Sequence, residues 1–197
     1  MNNRTPVKIS TGSGKLEHFL SVNTSSLENS FCQIMGLKGD SVCSKCYSDR
    51  YAKMRPNLEK VLTTNSDTLS TRLLKDDEIP FFNARYVRFN SFGELINDIH
   101  YQNLLLIADK NPHTIFGLWT KRAKTVMKHK KRKNIKYIYS IREINSSKVS
   151  EKISNYFDKI FAVKSKDGPE INCKGKCINC LLCYTDNDTK FIYEKLK

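Results

Sequence analysis

Seven cysteines in two groups constrain this chain more than any other feature. Cys173, Cys177, Cys180 and Cys183 fall within eleven residues, spaced C-x3-C-x2-C-x2-C. Gaps this short let successive thiolates converge on one point, so that the backbone folds around a metal centre. Iron–sulfur clusters and tetrahedral zinc both use such spacing. The early group is Cys32, Cys43 and Cys46, the last two forming a C-x-x-C. Three thiolates are an awkward number for a closed zinc site, and the nearest histidine in sequence is His18. They suit a four-iron (4Fe-4S) cluster with one iron left open. The competing reading of the early group is a reactive or simply buried C-x-x-C. Zinc stays open as the alternative at the late group.

This argument needs a reducing compartment, since clustered cysteines in an oxidising one form disulfides. No apolar run approaches the ~20 residues that cross a bilayer. Met1 to Ser13 is polar and has no signal-peptide core. The expectation is a soluble protein in a cytoplasm, with no membrane contact. Apolar residues at 39% and charged residues at 27% indicate a globular chain rather than a disordered one.

A formal net charge of +14, from 34 Lys and Arg against 20 Asp and Glu, favours polyanionic partners, nucleic acid or nucleotide first. Nine Lys or Arg lie between residues 121 and 136. Lys128, Lys130, Lys131 and Arg132 are the candidate nucleic-acid contacts there, each adding salt dependence to binding. A solvated basic helix is the bland reading of the same run. Tyr47, Tyr51, Tyr86, Phe92 and Trp119 are aromatics for base stacking or, more simply, for the core. The four histidines have no paired metal spacing, and no Walker loop, dinucleotide fingerprint, nucleophile elbow or zincin motif is present.

Strands and helices alternate along the chain. Strand patterns fall at Phe19–Val22, Arg85–Asn90, Thr114–Trp119, Ile135–Ser140 and Lys159–Val163. Helical patterns run from Ser44 to Thr64 with a break near Pro56, from Asn97 to Lys110, from Lys121 to about Lys131, and around Ser147–Phe157. Ser66 is read as the cap of a further short helix carrying Leu69, Leu73 and Leu74. The alternation predicts an α/β fold with a largely parallel, partial (β/α) barrel-like sheet. Residues 1–168 would form that domain, with the three-cysteine loop near its start. Residues 169–197 would be a four-cysteine metal-binding segment packed on it. Ligands of parallel α/β proteins bind at the carboxyl ends of the strands. Those ends are polar here: Asn23 and Thr24, Asn90 to Glu94, Thr120 to Arg122, Ser140, and Lys164 with Ser165.

Four pieces of sequence carry a family resemblance. They are Cys43-Ser-Lys-Cys46-Tyr47, Val87-Arg88-Phe89-Asn90-Ser91-Phe92-Gly93-Glu94, Phe116-Gly117-Leu118-Trp119-Thr120-Lys121-Arg122, and the late cysteine run. Together they resemble a family of phage-encoded proteins known as gene product 88, which look distantly like radical S-adenosylmethionine enzymes. The resemblance implies that Cys32, Cys43 and Cys46 hold a four-iron cluster whose open iron binds S-adenosylmethionine. It places Phe92-Gly93-Glu94 where that family holds the amino group, and likens the late cysteines to an auxiliary cluster. Asn90, Ser91, Gly93, Glu94, Thr120 and Lys121 are the cofactor-binding candidates that follow. The sequence departs from the radical family in the ten residues between Cys32 and Cys43, and in Lys45 standing where an aromatic is usual. The leading expectation is an iron–sulfur protein of radical-enzyme-like fold, an enzyme on a nucleotide or nucleic acid. The alternatives are a zinc-stabilised nucleic-acid-binding module and a non-catalytic electron carrier or sensor.

Overall fold

Alternating apolar side chains in short runs build the sheet. Tyr86 to Phe89 sends Val87 and Phe89 to one face and Tyr86 and Arg88 to the other, as the two-residue period of a strand requires. The computed structural model describes residues 5–196. Residues 1–4, part of the stretch from Met1 to Ser13 expected to have no signal-peptide core, lie outside the described residues, as does Lys197.

Seven strands form one open sheet: β1 (Ile9–Thr11), β2 (Leu20–Val22), β3 (Tyr86–Phe89), β4 (Ile115–Thr120), β5 (Ile135–Ser140), β6 (Lys159–Lys164) and β7 (Phe191–Lys195). Their order in space is their order in the chain. β1 runs antiparallel to β2, and every later pair is parallel. The β2–β3 connection carries α1 (Ser30–Gly36), α2 (Tyr47–Met54) and α3 (Pro56–Thr71). The next three carry α4 (Asp98–Lys110), α5 (Ala123–Val126) and α6 (Glu151–Tyr156). The last carries the late cysteines and the single turn α7 (Cys177–Cys180).

The two faces of the sheet are covered differently. Leu69 of α3, Leu104 and Ile107 of α4, and Val126 of α5 pack on Val87, Phe89, Phe116, Leu118 and Tyr137, making the main core. Opposite them, Phe19, Trp119, Ile138 and Tyr184 form a smaller cluster with Cys177, Leu181 and Cys183 at its edge. The late cysteine segment therefore lies across the face that the helices leave open.

Several expectations hold. Pro56 opens α3, where its missing N–H costs nothing. Asn97 caps α4 by accepting from the His100 N–H at 2.9 Å, and Leu104, Leu105, Ile107 and Ala108 all point inward. Three expectations need correction. Ser66 is not a cap: α3 runs through it, and its hydroxyl bonds back to the Leu62 carbonyl at 3.0 Å. The basic run from Lys121 forms only the one-turn α5, because it has too few apolar residues at helical spacing to seat a longer helix. The chain after residue 168 also does more than pack on the sheet, since β7 pairs with β6 over five residues. No helix among the described residues is long and apolar enough to cross a membrane.

Candidate metal centres

The early site is built at the carboxyl ends of β2, β3 and β4 by hydrogen bonds that the chain makes to itself. Asn23, just past β2, is buried, and its Oδ1 accepts from the Ser91 N–H at 2.9 Å, the Ser91 hydroxyl at 2.6 Å and the Phe92 N–H at 3.1 Å. Glu94 ties the loop after β3 to the end of β4. Its Oε1 accepts from the Thr120 hydroxyl at 2.7 Å and from the Leu95 N–H at 2.8 Å, and its Oε2 accepts from the Lys121 N–H at 2.7 Å. A carboxylate oxygen has two lone-pair sites, so Oε2 keeps acceptor capacity. Gly93 sits at φ +76°, and a Cβ there would stand 2.4 Å from the Thr24 carbonyl oxygen. Only glycine fits that approach. Asn90 has a left-handed φ of 59°, and its side-chain amide donates to the Trp119 carbonyl at 3.3 Å.

The cysteine loop docks on this rim. Asn29 caps α1 by accepting from the Phe31 N–H, while its amide donates to the Glu94 carbonyl at 2.9 Å, which brings Cys32 next to the rim. The Val42 N–H donates to the Arg142 carbonyl at 2.8 Å, and the Ile144 N–H to that of Asp40 at 3.0 Å, zipping the loop to the segment after β5. Tyr47, which opens α2 directly after Cys46, donates its hydroxyl to the Ser91 carbonyl and meets Phe92 edge-on at 5.6 Å.

The three thiols act on one another. Burial pushes the Cys32 thiol well up, and Glu94, Cys43 and Cys46 add to the rise while Lys121 opposes it. Burial also raises Cys46, against the pull of the Asp49 and Ser48 N–H groups at the start of α2. For Lys121, burial works against the charge, but Cys43, Glu94, Cys46 and Cys32 together leave it raised. Two more cations flank the loop: the guanidinium carbons of Arg122 and Arg142 lie 5.6 and 5.5 Å from the centroid of Phe31. The six rim residues named from sequence, Asn90, Ser91, Gly93, Glu94, Thr120 and Lys121, thus lie together beside the early cysteines.

The late cysteines line a single small cavity with Leu181, Tyr184 and Ile192. The turn closes because Leu181 adopts a left-handed conformation, φ 52°, after Cys180. Tyr184 anchors the segment to the sheet. Its ring lies on Gly117, where a Cβ would stand 2.8 Å from it, and it meets Phe19 at 5.0 Å and Trp119 at 5.7 Å. Lys15 donates to the Cys173 carbonyl at 2.7 Å and approaches its sulfur at 3.5 Å. Burial pushes Cys183 up to about 12, with Arg88 opposing and the other three cysteines adding. Burial makes the Cys32 and Cys183 thiols hold their protons more tightly, so a metal that takes these sulfurs as thiolates displaces protons.

All seven cysteines are free thiols, and among the described residues no three His, Cys, Asp or Glu side chains are already drawn together tightly enough to hold a metal ion. The donor chemistry nonetheless suits a thiophilic centre: three mutually interacting thiols with no histidine at the rim, and four thiols around one cavity.

The later part of the basic run, with the four candidate nucleic-acid contacts, lies elsewhere. Arg132 pairs with Asp109 at 2.7 Å, at the last turn of α4, and Lys131 with Asp158 at 2.7 Å just before β6. They sit towards the amino ends of the strands, away from the cysteine rim. Lys128 and Lys130 are exposed. Sequence reasoning missed the roles of Asn23, Arg88, Arg142 and Lys15. Only Asn23, polar at a strand end, carried a signal. No protein-family model, curated protein or solved structure matches this chain.

Proposed function

We propose that this chain is an iron–sulfur protein whose early cysteines hold a cluster on the carboxyl rim of a partial-barrel sheet, and whose late cysteines hold a second thiolate centre. The observation that carries the reading is that Cys32, Cys43, Cys46, Glu94 and Lys121, from segments far apart in sequence, lie near enough on the rim to act on one another's charge. Three thiolates leave one iron of a four-iron cluster open for a ligand. Glu94 Oε2 is the acceptor nearest in kind to an ammonium arm. Lys121, Arg122 and Arg142 supply positive charge for a carboxylate or phosphate arm. S-adenosylmethionine is the occupant favoured by the family resemblance, and a nucleotide-class substrate suits the same cations.

Anaerobically purified protein from iron-replete cells tests this. Iron with acid-labile sulfide is expected, together with a paramagnetic resonance signal in the reduced state that shifts when S-adenosylmethionine is added. Stoichiometric zinc without iron would overturn the reading in favour of a zinc-stabilised nucleic-acid module. A cluster with an unchanged signal would leave an electron carrier. Zinc has one specific support, the four-thiol cavity, so metal content should be assigned group by group with cysteine variants.

A further inference from the structure

Arg88 occupies the middle of β3 on the open face of the sheet, directly across from Gly117 of β4. Its guanidinium carbon lies 3.9 Å from the centroid of the Trp119 ring, so the cation is fixed on an aromatic plane. The Arg88 Nε is buried and has no hydrogen-bond partner, and the same holds for Trp119 Nε1 and Tyr184 Oη beside it. The ion pairs of the described residues take up Lys15, Arg72, Lys131 and Arg132, but leave Arg88 out. A half-buried guanidinium whose Nε is sealed from water and which has no acid is costly, and such charges are kept where something negative meets them. Gly117 is what lets the late segment come so near: the Tyr184 ring fills the space its side chain would take, next to Arg88, with Cys183 one residue away. Cys177 and Cys183 belong to the same side-chain cluster as Trp119 and Tyr184.

We propose that Arg88 is the charge partner of the late four-cysteine centre, the positive group that offsets the thiolates gathered over the open face. The proposal rests on the late cysteines binding metal, but not on which metal they bind. Four thiolates around a divalent ion or an iron–sulfur core carry net negative charge, and a guanidinium whose charge reaches Cys177 and Cys183 stabilises it. Arg88 is a positioning residue here: it ligates nothing, and it acts through the field at Cys177 and Cys183. The unpartnered Trp119 and Tyr184 donors add two dipoles on the same side.

Cobalt(II) is the probe, because its thiolate charge-transfer absorption reports sulfur ligation whatever the native metal is. The full chain with Cys32, Cys43 and Cys46 replaced by serine leaves only the late thiols to report. Arg88→Gln is expected to weaken cobalt binding by about 10- to 100-fold in chelator competition, the range for groups that support ligands. Arg88→Lys, which keeps the charge, is expected to stay close to the unsubstituted background, and it gives a folded comparison should the glutamine variant not fold. If the protein carries a redox-active cluster there, Arg88→Gln should also lower its midpoint potential, a readout that a packing defect would not move in a fixed direction. Equal affinity for Arg88→Gln and its background, or lysine as weak as glutamine, would overturn the proposal while the metal reading stands. No thiolate band in the background itself would overturn both.

Discussion

The two cysteine groups solve the same problem in opposite ways. The late group is local: four cysteines in one short segment, one helical turn, and an anchor at Tyr184. The early group is assembled at a distance, from α1 and the start of α2, onto a rim tied by Asn23 and Glu94 across strands β2, β3 and β4. The rim's shape is set by hydrogen bonds that need no metal. The late segment has little regular structure beyond α7 to hold its thiols in place. Under the proposed function, the long-range set has its frame before any metal arrives, whereas the short set would take its frame from the metal.

The comparison can be broken most directly at the late group. Cys177→Ala with Cys180→Ala should lose metal and soluble protein together, since thiolate sites of this kind supply on the order of 10 kcal/mol to the folding of their segment. Full metal content in a folded double variant would remove the late group as a ligand set. The next effect is at the glycines that seat each region. Gly93→Ala meets a backbone oxygen and a left-handed φ, so it should destabilise by about 2–4 kcal/mol in denaturant unfolding. Gly117→Ala meets side-chain rings instead, and about 1–3 kcal/mol is expected. The reverse order would mean that the late segment is the stiffer one. Cys43→Ser should abolish iron at the rim yet change the unfolding stability of the metal-free protein by less than about 1 kcal/mol, because the Asn23 and Glu94 bonds survive it. A collapse in melting temperature comparable to that of the late variants would erase the distinction.

The smallest effect lies outside both groups. Replacing Lys128 and Lys130 with Gln should flatten the salt dependence of RNA or DNA binding, and replacing Lys131 and Arg132 should flatten it less, because Asp158 and Asp109 already hold those cations. Stability should stay within about 0.5 kcal/mol in the first pair. Equal salt slopes in the two pairs and the parent would return the whole run to a solvated surface.

The central sheet is legible in the sequence because β3 to β6 are short apolar or alternating runs with polar ends, and those ends name the rim. β1 has only three residues at an antiparallel edge, too few to show a period. β7 has a strand-like composition, but it follows the cysteines and was absorbed into a metal-binding tail. The rim residues were found from strand ends and resemblance, while the clamp that joins them was not. Which donors meet Asn23 depends on the register between β2 and β3, a property of the pair and not of either segment. Arg88 was hidden for a similar reason: a charged residue inside a strand says nothing of what the opposite face receives.

The matching of strand order to chain order has a consequence for synthesis. Each new strand finds its partner already made, so the sheet can grow from one edge as the chain emerges, amino-terminal elements first. Once β4 and Lys121 appear the Glu94 clamp can close, and once Arg142 to Ile144 follow, the loop of the early thiols can dock on a finished rim. At that moment Cys173 to Cys183 do not yet exist. The nascent chain thus has an interval in which only three of its seven thiols are available, so a metal bound at the rim, as proposed, would meet no competition from the four that come later.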